Sequence, residues 1–270
     1  MTAVTAPAAI PAAERTPLRE VIGDALAVAR RNVIALTRIP TTIVFSTIQP
    51  VIFVLMFRYV FGGAIKPMPG VRYVDFLMAG IFVQTVTFGS IQTGIGLATD
   101  LQTGLIERFR SLPMARSAVL AGRTVADALR NLFVIILMVV VGFLVGFRVH
   151  TGVVPFLGAI ALMLVFGVAM SWVMALVGLN TGNAEAAQAA AFPFMALLVF
   201  ASSAFVPTAT MPGPLRAYAD HQPITATVNA VRSLTIGGPT AGRVLVSVAW
   251  IIGITVVFAS LAVRSYRRAA

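Results

Sequence analysis

Residues 100–123, DLQTGLIERFRSLPMARSAVLAGR, carry the densest group of charges inside an otherwise apolar chain. The stretch lies between two long apolar segments, at about 76–98 and 125–147. Each segment is long enough to cross a bilayer, which takes about 20 apolar residues. Two spans joined by a short charged loop predict a membrane protein that presents this loop to something in water.

The composition extends this prediction to the whole chain. Of its 270 residues, 59% are hydrophobic and 11% are charged, whereas a soluble domain carries about 25% charged residues. The net charge is +11, but the basic residues flank apolar segments, so membrane orientation explains them better than nucleic-acid binding does. The absence of Cys excludes disulfides and thiolate metal sites. We therefore expect an all-α polytopic membrane protein.

Six segments are long and apolar enough to span a bilayer. They lie at about 41–61, 76–98, 125–147, 153–179, 186–206 and 244–263. Six crossings place both termini on one side, and thirteen of the twenty Lys and Arg residues then fall on that side. Because basic residues collect in cytoplasmic loops, we expect cytoplasmic N- and C-termini. The abundance of Ala and Arg is typical of GC-rich bacterial genomes, so the expected location is a bacterial plasma membrane.

The segments outside the spans have patterns of their own. Residues 1–15 are rich in Ala and Pro without a continuous apolar run, which predicts a disordered cytoplasmic tail, and residues 265–270 form a second short tail. Residues 16–38 are two-faced and join a span directly, which favours an amphipathic helix in the membrane interface over an ordinary soluble helix. Residues 207–243 carry five prolines between apolar stretches, which predicts short, re-entrant outer helices.

The sequence contains no motif for an energy source of its own. There is no GxxxxGK[ST] phosphate loop, and the only lysine is Lys66. Both histidines lack metal-ligand spacing, so neither a metal site nor a catalytic site is expected. Ion-coupled carriers bury an ionisable residue in a span, and the nearest candidate is Asp127. Because it stands at a predicted helix start beside Arg123 and Arg130, we expect it to pair with one of them.

The charged loop itself predicts a short amphipathic helix at residues 100–113. Apolar side chains recur on one face, Asp100 can cap the start, and Pro113 prevents continuation. Such a helix suits a groove of a partner protein. The alternative is a basic loop that lies on anionic membrane lipid.

Two blocks of sequence resemble a known family. ERFRSLPMAR at residues 107–116, followed by LAGR at 120–123, is similar to the signature loop of ABC-2 type transporter permeases, closest to the daunorubicin-resistance subfamily. A second block between residues 182 and 238 contains GNAEAAQ, QPIT and GG, and it resembles the region between spans five and six of the same permeases. Together the resemblance covers about residues 20–268.

The resemblance implies a fold and a mode of action. The fold would be a six-span domain over residues 39–264, with an interfacial N-terminal helix, a coupling helix between spans two and three, and re-entrant outer helices before span six. The chain would pair with a second permease, identical or similar, and with two copies of a separate ATP-binding subunit that holds ATP and Mg. No cofactor is expected in this chain. The implied ATPase-coupling residues are Leu105, Glu107, Arg108, Phe109, Arg110, Pro113, Arg116 and Glu185.

Three stripes of side chains are candidates for lining a substrate path. Span two has a small, polar stripe with Thr85 and Gln92, span four has a Met and Gly stripe with Met170, and span five is aromatic, with Phe194 and Phe200. Small and polar stripes also serve helix packing, and Met fills irregular apolar gaps. Packing is the favoured role of the first two stripes, and the aromatic stripe is also compatible with lipid contact.

The leading hypothesis is the permease subunit of an ABC exporter for a hydrophobic drug-like or lipid-like compound. Export of a polysaccharide or glycolipid is an alternative, but sugar stacking favours more than the two Trp and four Tyr present. A membrane assembly factor without transport is an alternative from another class, and a proton-coupled carrier is a third.

Overall fold

The structure is a computed structural model. It describes residues 40–60, 62, 70–104 and 116–269, with side chains over 48–60, 62, 70–104 and 126–266. The predicted tail at 1–15, the interfacial helix at 16–38 and most of the predicted coupling helix lie outside the described residues.

Nine α-helices account for most of the described residues, which contain no strand. They are α1 (Pro40–Leu55), α2 (Tyr73–Gly89), α3 (Ile91–Gln102), α4 (Arg116–Leu144), α5 (Val153–Thr181), α6 (Ala184–Phe200), α7 (Gly213–Asp220), α8 (Pro223–Ile236) and α9 (Thr240–Ala269). A π-helical turn, Met56–Val60, extends α1, and a 3-10 turn, Thr208–Thr210, precedes α7.

Four helical segments in the described part of the chain are long and apolar enough to cross a membrane. They are Tyr73–Gln102, Ala126–Leu144, Val153–Thr181 and Thr240–Tyr266, at the places of predicted spans two, three, four and six. Two shorter apolar helices, Ile48–Val60 and Ala184–Phe200, fall at predicted spans one and five. The prediction of a helical, multi-pass membrane protein is confirmed, and the count of six spans stays a prediction.

Glycines allow α3 and α5 to pack at backbone distance. A Cβ atom at Gly178 would lie 2.2 Å from the carbonyl oxygen of Gly94, and one at Gly94 would lie 2.5 Å from that of Met174. The hydroxyl of Thr93 lies 3.2 Å from that of Ser171, and a Cβ atom at Gly167 would lie 2.4 Å from the side chain of Val86. The contacts advance along α5 as they advance along α2 and α3, so these helices run in the same direction. Small residues permit this close approach of helices in membranes. α5 is the central helix, since it contacts α2, α3, α4, α6, α8 and α9.

These contacts place several segments at one end of the bundle, which we call the loop end. α3 finishes there at Gln102 and α4 begins there at Arg116. We call the residues between these two helices, 103–115, the central loop. α5 finishes at the same end, where the hydroxyl of Ser265, near the C-terminus, donates to the side chain of Asn180 at 2.8 Å. The opposite end carries the start of α2, the connection between α4 and α5, and α8. We call it the short-helix end.

Several helix bounds differ from the predicted spans, most of all those of α4, α6 and α9, which ends at Ala269 and not at residue 263. α6 ends at Phe200 and not at residue 206, because the hydroxyl of Ser202 donates to the carbonyl of Val199 and accepts from the N–H of Ala204. Such local bonds compete with the helical ones. α4 begins at Arg116, ahead of the predicted span at 125, because the intervening residues include the strong helix formers Ala, Leu and Arg. The expectation that Asp127 stands at a helix start is therefore wrong.

Candidate functional site

Two of the eight predicted coupling residues lie at the loop end of the bundle, among the described residues. The other six lie outside the described residues: Leu105, Glu107, Arg108, Phe109, Arg110 and Pro113. Arg116 is the first residue of α4. Glu185 is exposed in the first turn of α6, where the Oδ1 of Asn183 accepts hydrogen bonds from the N–H of Glu185 at 2.8 Å and of Ala186 at 3.3 Å. The fold thus brings Glu185 to the same end of the bundle as the start of α4.

An ion pair on α4, formed by Asp127 and Arg130, is the centre of a polar cluster. The Nη2 of Arg130 lies 3.7 Å from the Oδ1 of Asp127, and their side chains are 13% and 14% exposed. The prediction that Asp127 pairs with a neighbouring arginine is confirmed, and among the described side chains its partner is Arg130. The Oδ2 of Asp127 accepts a 2.6 Å hydrogen bond from the hydroxyl of Thr93 in α3. The Nη2 of Arg130 donates to the carbonyl of Gly89, the last residue of α2, at 2.7 Å.

Two glycines make room for Asn131 beside this α4 ion pair. A Cβ atom at Gly89 would lie 3.1 Å from the Oδ1 of Asn131, and one at Gly167 would lie 3.1 Å from its Nδ2. Asn131 is buried, so its amide fills a slot between α2 and α5. The contacts of both glycines are packing contacts of the kind expected for small residues in membranes.

The five predicted path residues differ in exposure, two being buried and three exposed. Thr85 and Met170 are buried in the core, and the hydroxyl of Thr85 donates within its own helix to the carbonyl of Ile81, at 2.7 Å. Gln92 is exposed on α3. Phe194 and Phe200 are 46% and 49% exposed on α6.

Phe200 belongs to a cluster of four rings, Phe53, Phe57, Phe200 and Phe205, which we call the aromatic surface. The rings of Phe57 and Phe205 are nearly parallel, with centroids 4.4 Å apart. The ring of Phe200 lies 5.5 Å from that of Phe205 and 6.2 Å from that of Phe53. Phe205 is buried whereas Phe200 is half exposed, so the cluster reaches the surface there. Sequence analysis missed Phe53 and Phe57, although their i, i+4 spacing places them on one helix face.

A buried arginine lies at the short-helix end. Arg232 of α8 is 6% exposed, and its guanidinium donates to the carbonyls of Ser203 at 2.9 Å and Phe76 at 3.3 Å, and to the Oδ1 of Asn229 at 3.0 Å. In the part of the chain that the structure describes, its hydrogen-bond acceptors are carbonyls and an amide. The sequence placed Arg232 in an outer segment as one more basic residue, and its burial could not be foreseen because Phe76 is 156 positions away.

A buried carboxylate also lies at the short-helix end. Asp75 accepts hydrogen bonds from the Nε of Arg72 at 2.9 Å and from its Nη2 at 3.1 Å. Its Oδ1 also accepts from the backbone N–H of Arg148 at 2.9 Å, which ties the start of α2 to the connection between α4 and α5.

Within the described ranges, no three His, Cys, Asp or Glu residues are grouped so that they could hold a metal ion.

Comparisons with known proteins match most of the sequence to one family of membrane transporters. The model of a family described as ABC-2 type transporter matches residues 24–236. The daunorubicin resistance ABC transporter permease protein DrrB1 of Streptomyces coeruleorubidus is 34% identical over 259 residues, which cover 95% of this chain and 90% of that protein. The probable doxorubicin resistance ABC transporter permease protein DrrC of Mycobacterium tuberculosis is 28% identical over 235 residues, or 84% of this chain and 82% of that protein.

Proposed function

This chain belongs to the ABC-2 type transporter family, and we propose that it is the permease subunit of an ABC exporter that moves a hydrophobic, drug-like or lipid-like compound out of the cell. The observation that carries the proposal is the match along 95% of the chain to a relative named as a drug-resistance permease. The long apolar helices of the described residues support it, because they are what a membrane path requires.

We place ATP hydrolysis in a separate subunit. The sequence has no GxxxxGK[ST] loop and a single lysine, Lys66, so it lacks the side chain that reaches the β- and γ-phosphates in such loops. An ATP-binding subunit, in two copies, would hold ATP and Mg. A second permease, identical or similar, would complete the transport path. No catalytic group is assigned to this chain.

Residues 100–113 are the proposed coupling helix. The central loop connects the end of α3 to the start of α4, the two helices that meet between Thr93 and Asp127. A force applied to the loop is therefore delivered to both helices. Phe109 would be the apolar anchor in a groove of the ATP-binding subunit, flanked by polar contacts from Glu107, Arg108 and Arg110. The exposed Glu185 at the same end of the bundle would extend this contact surface.

We place the loop end of the bundle in the cytoplasm. With six spans, thirteen of the twenty Lys and Arg residues fall on that side. The shorter apolar helices α1 and α6 are then spans one and five. The contacts of α6 support a crossing. Its 17 residues extend about 26 Å, from the turn at Asn183 at the loop end to the turn after Phe200, which bonds to α8 of the short-helix end. In that second turn the N–H of Ser203 donates to the hydroxyl of Thr225.

The aromatic surface is the proposed contact for substrate. Planar apolar molecules stack on aromatic rings, and Phe200 presents a half-exposed ring above the buried Phe205. Two relatives are named for resistance to daunorubicin and doxorubicin, which favours a planar aromatic compound over a sugar. Two Trp and four Tyr in the whole chain favour the same choice.

The test is reconstitution of the chain with its ATP-binding subunit. The two proteins are co-purified in mild detergent and placed in lipid vesicles, and doxorubicin transport and ATP hydrolysis are measured together. We expect transport that requires ATP. The double variant Arg108→Glu with Phe109→Ala should insert normally but lower transport per ATP by about tenfold, as the loss of coupling between linked sites does.

The matched control is Arg216→Glu with Tyr218→Ala on α7, which the proposed crossing by α6 puts at the other end of the bundle. It makes the same two kinds of substitution, at an arginine and a ring that are exposed, and we expect it to transport as the unmodified chain does. Full transport by the loop double variant would refute the coupling assignment. Purification of the chain without any ATP-binding subunit would favour an assembly factor. Transport that survives ATP depletion but stops with the proton gradient would favour an ion-coupled carrier.

A further inference from the structure

We propose that the α4 ion pair, Asp127 with Arg130, positions the break between α2 and α3 and carries movement of the loop end to it. The inference rests on the proposed function, because the movement is the one that an ATP-binding subunit would impose on the central loop. It makes Asp127 and Arg130 positioning residues for transport, acting through the helix that they hold and not on the substrate.

The continuous segment 73–102 changes its hydrogen bonding at Ser90. The N–H of Ser90 lies 3.1 Å from the carbonyl of Val86 and 3.2 Å from that of Thr87, and the N–H of Thr93 bonds to the carbonyl of Ser90, three residues earlier, at 3.0 Å. Bonds to the third preceding residue tighten a helix locally and mark hinges. A helix also bends where a side chain from outside bonds to its backbone ladder, and Arg130 does so at the carbonyl of Gly89.

The α4 ion pair holds the two sides of this break separately. Arg130 bonds to the last residue of α2, Gly89, at 2.7 Å. Asp127 bonds to Thr93, two residues after the first residue of α3, at 2.6 Å. The two charges lie 3.7 Å apart on one face of α4, so a shift or rotation of α4 pulls on both sides of the break at once.

α4 is suited to deliver such a movement from the loop end. It is continuous from Arg116 to Leu144 and contains no proline. Asp127 is eleven positions after Arg116, or about 17 Å along the helix axis. A continuous helix moves as one body over such a length, so displacement at the loop reaches the ion pair without an intermediate joint.

Stability alone does not explain this choice of residues. Burying an ion pair takes two charges out of water, and well-packed apolar residues in its place are often as stable or more stable. Ionisable residues within spanning helices are therefore functional candidates by default. The slot for Asn131 between Gly89 and Gly167 leaves little room for α4 to shift without moving the break.

The test weakens the contacts of Asp127 and of Arg130 with the break in separate variants. Each variant is measured in the reconstituted complex with the ATP-binding subunit. Thr93→Val has nearly the same shape and removes the bonds of this hydroxyl to Asp127 and to Ser171. Ser171→Ala, which removes the second bond alone, is its control and should leave transport per ATP unchanged. Arg130→Lys keeps the charge but loses the planar group that reaches Gly89. We expect Thr93→Val and Arg130→Lys to assemble with the ATP-binding subunit and to hydrolyse ATP within about twofold of the unmodified complex, with transport per ATP lowered about tenfold.

The control is Asp220→Asn, which removes the exposed pair with Arg216 on α7 and should leave transport per ATP unchanged. Equal losses of ATP hydrolysis and transport in Thr93→Val, or no change in either, would overturn the proposal in favour of a packing role. A failure of the proposed function is distinguishable, because the unmodified complex itself would then show no ATP-dependent transport.

A second measurement follows the break directly. The chain has no Cys, so Thr99→Cys provides a single reporter on the exposed face of α3. We expect its rate of maleimide labelling to change when the ATP-binding subunits are trapped with ADP and vanadate, and to stay constant in the background of Thr93→Val. A constant rate in the unmodified background, or an equal change in both backgrounds, would refute transmission through the α4 ion pair.

Discussion

The guanidinium carbon of Arg232 lies 3.6 Å from the centre of the Phe76 ring, although 156 positions separate the two residues. The same guanidinium donates to the carbonyl of Phe76. Arg130 makes a corresponding bond to the carbonyl of Gly89, thirteen positions further along α2, or about 20 Å away. α2 is therefore held by an arginine from another helix near each of its ends.

Replacement of Arg232 is expected to destabilise the short-helix end. Arg232→Met keeps much of the apolar stem but leaves the carbonyls of Phe76 and Ser203 without this donor, and it removes the contact with the ring. The lost hydrogen bonds of a buried donor and the lost cation–π contact together should lower the free energy of unfolding by about 3 kcal/mol. Thermal unfolding in detergent measures this change. Arg216→Met, which breaks an exposed pair, should cost less than about 1 kcal/mol; equal effects would contradict the assignment.

The contact between α3 and α5 predicts a strong effect of one added methyl group. Gly178→Ala would place a carbon 2.2 Å from the carbonyl oxygen of Gly94, and the backbone can yield only if the helices separate. Overpacking of this kind should cost about 2 kcal/mol in unfolding free energy. Gly253→Ala in α9 is the control, because a carbon there meets no atom within 4 Å. It should be neutral or stabilising by up to about 1 kcal/mol, and a comparable loss in both variants would be evidence against the close contact.

Local pattern was sufficient for the parts of the fold that depend on neighbouring residues. The apolar run at 153–179 predicted a helix that the structure places at Val153–Thr181, and Gly182 ends it with a left-handed φ of 60°, as glycine commonly does. The pairing of Asp127 was predictable because Arg130 is three positions away. Where a residue forms its bonds within one turn, sequence spacing is enough.

Contacts between distant parts of the chain were not predictable in the same way. Thr93 is 34 positions from Asp127, and nothing in the spacing of either residue marks the other. The burial of Arg232 depends likewise on α2 and on the turn after α6. The end of α6 was predicted too late in the chain because serine is compatible with a membrane helix. Its end depends on the hydroxyl of Ser202, which bonds to nearby backbone groups.

The aromatic surface predicts a difference between two phenylalanines of α6 that are exposed to similar extents. Phe200 is part of the stacked cluster with Phe205, whereas no ring contact of Phe194 is found among the described residues. Phe200→Ala should raise the doxorubicin concentration at half-maximal transport by about three- to tenfold, since an aromatic pair contributes about 0.5–1.5 kcal/mol. Phe194→Ala should leave it unchanged. Equal shifts in both variants would indicate a general effect on α6 and not a contact with substrate.

The proposed orientation predicts from which side of the membrane an impermeant reagent reaches three exposed positions. Because the chain has no Cys, His150→Cys, Glu185→Cys and Arg216→Cys each give one site for an impermeant maleimide in whole cells and in inverted vesicles. α5 is long enough to cross a membrane, so His150 and Glu185, which flank it, should label from opposite sides, with His150 outside. If α6 is also a span, Arg216 should label from the outside together with His150. Labelling of Arg216→Cys from the inside together with Glu185→Cys would mean that α6 turns back within the membrane. That result would refute the assignment of α6 as span five and with it the count of six spans.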